Sequence, residues 1–198
     1  MKLILFLAVA TGLAAPIPKG FLLYEKAAAQ KDANPETSWQ VSAAKTARFT
    51  VNPCNKQALG QAGRTAAKTI TYTAVPDYAK SEQVILYAST QAAQESMTAL
   101  RTALTTCAVR KDHGSASYRF KGVPAALGDE ALLVLGQFYQ GRKPAIGGER
   151  AVVARRANAI VIYSQSGEWG RPAGTDYARQ QKDAKAMLAK ICAVAACD

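Results

Sequence analysis

Histidine is nearly absent from this chain: His113 is the only one among 198 residues. Any Ser-His or Cys-His catalytic device would have to use it. It stands in the polar run Lys111-Asp112-His113-Gly114, near Ser115 and Ser117, and no Gly-x-Ser-x-Gly nucleophile turn occurs in the sequence. His113 therefore reads as a loop residue without a catalytic role. Glycine-rich phosphate loops of the Gly-x-Gly-x-x-Gly or Walker type are missing too, so nucleotide binding through such a loop has no support. Acidic residues are scarce, 14 against 25 lysines and arginines. The main acidic pair is Asp129-Glu130, and on a strand adjacent side chains point to opposite faces. Aromatic residues make up 8% of the chain. Arg142, Lys143, Arg150, Arg155, Arg156 and Arg171 concentrate in the second half, but Phe138, Tyr139 and Tyr163 are too sparse for the interleaved stacking that grips single-stranded nucleic acid. Nucleic acid is therefore not an expected partner. No internal repeat and no low-complexity tract is present.

Long apolar runs are lacking as well. The longest, Leu3 to Ala15, follows Met1-Lys2 and is ended by Pro16, Pro18 and Lys19. A membrane-spanning helix needs about 20 apolar residues, so residues 1–15 read as a signal peptide rather than a span. Four cysteines follow, Cys54, Cys107, Cys192 and Cys197. Their spacing does not fit a structural zinc site, and no metal or cofactor is expected. In an exported chain an even cysteine count reads as two disulfides. Three pairings are open in principle. Cys54–Cys107 and Cys192–Cys197 is the one chosen, because Cys107 ends a buried helical stripe and Cys54 opens the domain which that helix must cover.

The net charge of +11 favours anionic partners outside the cell, such as wall polymers, beside its plain role in solubility. Residues 16–48 read as a lead-in, with Phe21, Leu22, Tyr24, Trp39 and Val41 as its apolar points, and residues 49–198 as the domain proper. Strand composition marks Arg64 to Ala74, Gln83 to Ala88, Ser117 to Val123, Glu130 to Tyr139, Arg150 to Arg156 and Ala159 to Gln165. Ala157-Asn158 joins the last two in a hairpin, with Asn158 as the residue suited to a left-handed turn. Ala93, Met97, Leu100, Leu104 and Cys107 share one helical face, and Tyr177, Ala184, Leu188 and Ile191 share another. The expectation is an α+β fold. About six mainly antiparallel strands carry two long helices on one face, stapled by two disulfides.

Certain residues taken together resemble a known group. They are Pro53-Cys54, the run Met97 to Cys107, Gly128-Asp129-Glu130-Ala131, the hairpin Val152 to Val161, and Met187 to Cys192 followed by Cys197. This pattern is similar to actinobacterial secreted sensor domain-containing proteins. More remotely it resembles the extracellular sensor domain of mycobacterial membrane serine/threonine kinases of the PknH type. The resemblance covers about residues 50–198. It implies a compact α+β domain with two disulfides and a cleft, and ligand sensing without a defined ligand.

The leading reading is thus a secreted, non-catalytic domain that binds a small molecule, a wall fragment or a protein. The alternatives are an extracellular hydrolase acting through Asp129 or Glu130, and a wall-associated protein held by charge. The expected ligand surface lies on the sheet face away from the helices, with Phe138 or Tyr139, Arg155 or Arg156, and Tyr163. Trp169 sits in a rim loop with Gly167, Gly170, Pro172 and Gly174.

Overall fold

The computed structural model describes residues 16–30 and 34–197; the leader assigned to residues 1–15 lies outside them. Eight strands form one sheet. They are β1 (Thr37–Ser42), β2 (Arg64–Ala74), β3 (Tyr78–Tyr87), β4 (Val109–Lys111), β5 (Ala116–Ala125), β6 (Glu130–Gln140), β7 (Lys143–Arg156) and β8 (Ala159–Gly167). Their order is β1-β2-β3-β8-β7-β6-β5-β4, and every pair is antiparallel. The helices are the short α1 (Glu25–Ala28), the long α2 (Thr90–Thr106) and α3 (Ala178–Lys190). A 3-10 turn at Gly174–Tyr177 leads into α3. Among the described residues no helix is long and apolar enough to cross a membrane.

The sheet has eight strands where six were expected, and both additions are edges. β4 is only three residues long, too short for a periodic signal. β1 comes from the lead-in, which also sends Ile17 and Leu22 into the core. A second departure concerns the helices. α2 lays Met97, Leu100 and Leu104 on Ile85, Val153, Ile160 and Ile162. α3 lays Ala184, Met187 and Leu188 against Val152, Ala154, Val161 and Tyr163. Neighbouring strand residues point to opposite faces, so the two helices cover opposite faces and only α2 is long. The cause is visible in β7 and β8. Ala151 to Ala154 and Ala159 to Tyr163 are buried without interruption. Such unbroken apolar runs belong to strands covered on both sides, whereas one-sided cover gives alternation.

Local chemistry fixes the ends of these elements. Ser89 is extended (φ −154°), and its hydroxyl accepts a hydrogen bond from the Ala92 N–H at 3.1 Å, capping α2. Cys107 closes that helix with a disulfide to Cys54, S–S 2.02 Å and Cα–Cα 5.3 Å. Cys192 pairs with Cys197 just after α3, Cα–Cα 5.4 Å. At the β7–β8 turn the left-handed residue is Ala157 (φ +49°), not Asn158. Asn158 uses its side chain instead, donating to the Tyr87 carbonyl at 2.7 Å and accepting from the Ala196 N–H at 2.8 Å.

Candidate binding surface

The lead-in is strapped across the α3 side of the sheet by buried charge. Glu82 on β3 is 0% exposed. Its carboxylate accepts hydrogen bonds from the Leu23 N–H (2.8 Å), the Tyr24 N–H (2.6 Å) and the Tyr163 hydroxyl (2.5 Å). Burial pushes the Glu82 carboxyl up, against the pull of the Tyr163, Tyr24 and Leu23 donors. Lys68 pairs with Glu25 and donates to the Pro18 carbonyl at 3.2 Å, while Lys190 donates to the Phe21 carbonyl. The Tyr24 hydroxyl donates to Asp183 on α3 at 2.7 Å. Burial, then this carboxylate, raises the Tyr24 hydroxyl well above the usual range, so it stays a donor.

This strap completes an aromatic row. Tyr24 meets Tyr163 edge-on at 5.7 Å between ring centroids and Trp39 at 6.3 Å. Trp39 meets Tyr72 at 4.8 Å, and Tyr72 meets Tyr78 at 6.2 Å. Strand register sets the row, because Trp39 pairs with Tyr72 and Tyr72 with Lys80 across β1, β2 and β3. Tyr24, Trp39, Tyr72 and Tyr78 are all half-buried. The Lys80 ammonium lies 5.3 Å from the Tyr24 ring centroid and 5.1 Å from those of Trp39 and Tyr72. The π-faces of these rings attract a cation. Among the described residues no carboxylate lies within ion-pair distance of Lys80. Burial, then the neighbouring Arg179 charge, lowers its pKa, against the attraction of Asp183.

At the Tyr78 end the row opens into a cleft of about 350 Å³ lined by Pro76, Asp77, Tyr78, Glu168 and Trp169. Next to Glu168 in the chain, Gly167 has φ +140°, and a Cβ there would come within 2.2 Å of the Asp77 carbonyl oxygen. Trp169 is held by its own node. Its ring lies 4.8 Å from the buried Arg150 guanidinium, and its carbonyl accepts from Gln137 at 3.3 Å. Arg150 in turn donates to Asp176 at 2.7 Å and to Gln137 at 2.9 Å.

The residues expected at the ligand surface are dispersed. Trp169 adjoins the cleft. Tyr163 is fully buried and reaches the row only from beneath, through Tyr24. Tyr139 stacks on Arg119, 4.2 Å from the guanidinium, on β6 and β5 towards the other end of the sheet, and Phe138 is half-buried beside it in the chain. Arg155 and Arg156 lie on opposite faces. Arg156 donates to the Leu188 carbonyl at 3.1 Å and lines a separate 520 Å³ groove with Asp129 and Lys185. Trp39 was expected only as an apolar point of the lead-in, and Tyr72 and Lys80 were not expected at the surface, because strand register alone brings the three together.

Asp129 and Glu130 do share one partner, contrary to the strand-alternation argument. Arg155 donates to Asp129 at 2.8 Å and to Glu130 at 2.6 Å. Gly128 makes this possible. With φ +60° it lets the backbone pass where a Cβ would sit 2.3 Å from the Arg155 carbonyl oxygen, so Asp129 lies in the turn before the strand begins. Burial raises the Glu130 carboxyl, but hydrogen bonds from Arg101 and Arg155 outweigh it and hold it below the ordinary range. A carboxylate held ionised by two guanidiniums is a poor general acid. His113 lies exposed in its loop. No group of three metal-ligating side chains occurs among the described residues.

No protein-family model and no curated protein matches the chain. The fold is similar to that of the extracellular domain of PknH from Mycobacterium tuberculosis, with a TM-score of 0.56 and 10% sequence identity over 89% of this chain and 99% of that one. An uncharacterised protein from Mycobacterium smegmatis (the Rv0999 ortholog) aligns at a TM-score of 0.37 and 11% identity, over 79% of this chain and 89% of that one. The resemblance expected from the sequence to a PknH-type extracellular domain thus holds at the level of fold.

Proposed function

We propose that this chain is an exported, non-catalytic, sensor-like domain that binds a ligand on the aromatic surface around Lys80. The observation that carries the reading is the row Trp39–Tyr72–Tyr78. Its rings are half-exposed, Trp39 and Tyr72 flank the Lys80 ammonium, which has no carboxylate of the described residues within ion-pair distance, and the row leads into the cleft at Trp169. Ligand sites combine apolar and aromatic walls with a few polar anchors, and this surface has that composition. An extracellular setting is supported by the two disulfides, by the apolar leader and by a fold shared with an extracellular domain. The commitment of Asp129 and Glu130 to Arg155 speaks against the hydrolase alternative.

The test is a small-molecule and wall-fragment screen of the oxidised protein by heteronuclear NMR. The indole N–H signals of the two tryptophans, Trp39 and Trp169, serve as reporters. A hit that shifts Trp39 or Trp169 and is lost in Tyr72→Ala supports the surface. Hits that map only to the groove beside Arg156, or hydrolysis of wall material that disappears in Glu130→Gln, would overturn it.

A further inference from the structure

The rings of this surface are not parallel. Trp39 and Tyr72 are tilted by 52°, and Tyr72 and Tyr78 by 67°. The row is therefore a sequence of notches rather than a flat platform. A planar base or aromatic ligand stacks best between or upon parallel faces. A pyranose chair is thick, has an apolar C–H face and is fringed with hydroxyls, and it seats in a notch between tilted rings. A polar group for the hydroxyl fringe stands at the cleft, where Glu168 is exposed.

The charges narrow the choice further. Lys80 brings an ammonium into the row with no carboxylate of the described residues within ion-pair distance. Arg179 stands on α3 one helical turn before Asp183, which meets the Tyr24 hydroxyl at 2.7 Å, so that its charge acts on Lys80, Tyr78 and Tyr24. Two neighbouring cations repel each other, and a shared anion relieves the repulsion. Asp183 attracts Lys80 only from beyond ion-pair distance. It is engaged by the Tyr24 hydroxyl.

Resting on the binding reading above, we infer that the ligand is an acidic saccharide. Its sugar ring seats against Trp39 and Tyr72, and its carboxylate or phosphate is taken by Lys80 and Arg179. The Lys80 ammonium forms a charge-assisted hydrogen bond with that acid, the stronger kind of polar contact, while the three rings hold the ammonium in place. A chain of such sugars has room to continue past Tyr78 into the cleft at Trp169.

The experiment uses the Trp169→Phe protein, in which Trp39 is the sole tryptophan and reports by fluorescence. The probes are tetragalacturonate and glucose 6-phosphate, their neutral counterparts (the methyl ester and glucose), inorganic phosphate, and an eight-nucleotide oligo-dT. Expected is a saturable change at Trp39 with one or both acidic saccharides. Binding should be about tenfold or more weaker for the neutral counterparts and in Lys80→Met, the loss of one hydrogen bond to a charged group, and should be restored in Lys80→Arg. Binding of tetragalacturonate alone assigns the acid as a carboxylate, and of glucose 6-phosphate alone as a phosphate. Equal binding of the neutral sugars, equal binding of inorganic phosphate, or tighter binding of oligo-dT would overturn the acidic-saccharide assignment while leaving the aromatic surface as a binding site. Silence of Trp39 toward every probe at about 10 mM, a Kd scale of only about −3 kcal/mol, would overturn the assignment too. The unbiased NMR screen, which does not depend on sugars, would then decide whether the surface binds anything.

Discussion

Glu82 and Tyr163 face each other across β3 and β8 as register partners, and the tyrosine hydroxyl donates to the buried carboxylate at 2.5 Å. Two backbone amides of the strap converge on the same carboxylate. Glu82→Ala would leave three donors without an acceptor. Since an orphaned buried donor costs about 1–3 kcal/mol, a destabilisation of about 3 kcal/mol in urea is expected, together with faster tryptic cleavage after Lys19 and Lys26. Unchanged cleavage would show that the strap is held elsewhere.

Glu149 is the outlying carboxyl of the α2 face. Its Oε1 is sealed from solvent and has no hydrogen-bond partner. Burial pushes it up to about 7, with only the Arg110 charge opposing. The folded value lies above the unfolded one, so the folded state binds the proton more tightly. Its contribution to stability is complete below about pH 4.5 and is lost as pH rises through about 7. Glu149→Gln should therefore gain about 1–3 kcal/mol at pH 8 and almost nothing at pH 4. Chemical denaturation at the two pH values checks this, and an equal effect at both would refute it.

Arg155 neutralises two carboxylates and also donates to the Ala157 carbonyl at 2.9 Å, steadying the left-handed residue of the hairpin. Arg155→Met should cost about 3 kcal/mol, the low end for a broken buried ion pair. Glu130 keeps Arg101, and Asp129, with 44% of its side chain exposed, can rehydrate. The acid limb supplies a second readout. A depressed Glu130 carboxyl adds stability above its unfolded value and loses it as pH falls, so that limb should shrink in the variant.

The two disulfides differ in the loops they close, with sequence separations of 53 and 5. By loop-closure entropy the first restricts the unfolded chain by about 4 kcal/mol and the second by about 2. Replacing the pair Cys54 and Cys107 by alanine should lower the thermal midpoint clearly more than replacing Cys192 and Cys197. The reverse order would mean that the C-terminal bridge holds native structure that the loop argument misses.

Much of the fold was legible because its signals are local. The stripe Ala93–Met97–Leu100–Leu104 predicts α2, and the β7–β8 hairpin follows from two apolar runs separated by Ala157-Asn158. The placement of the helices was readable too, in the unbroken apolar run Val152 to Ala154, but the short antiparallel connections led to both helices being expected on one face. The binding surface was hidden for a different reason. Trp39, Tyr72 and Lys80 belong to three strands, and only the register between β1, β2 and β3 makes them neighbours. Asp129 escaped strand logic because Gly128 keeps it outside the strand.

The burial of β7 and β8 beneath helices on both sides also sets an order of opening. The edges β1 and β4 lean on a single neighbouring strand each, while the central hairpin is enclosed by two separate apolar layers. Losing either layer still leaves that hairpin dry on its other side. Its amide protons exchange with solvent only when both layers have come apart, so Val153 and Ile162 report the molecule's global unfolding, and the edge strands report only local fraying.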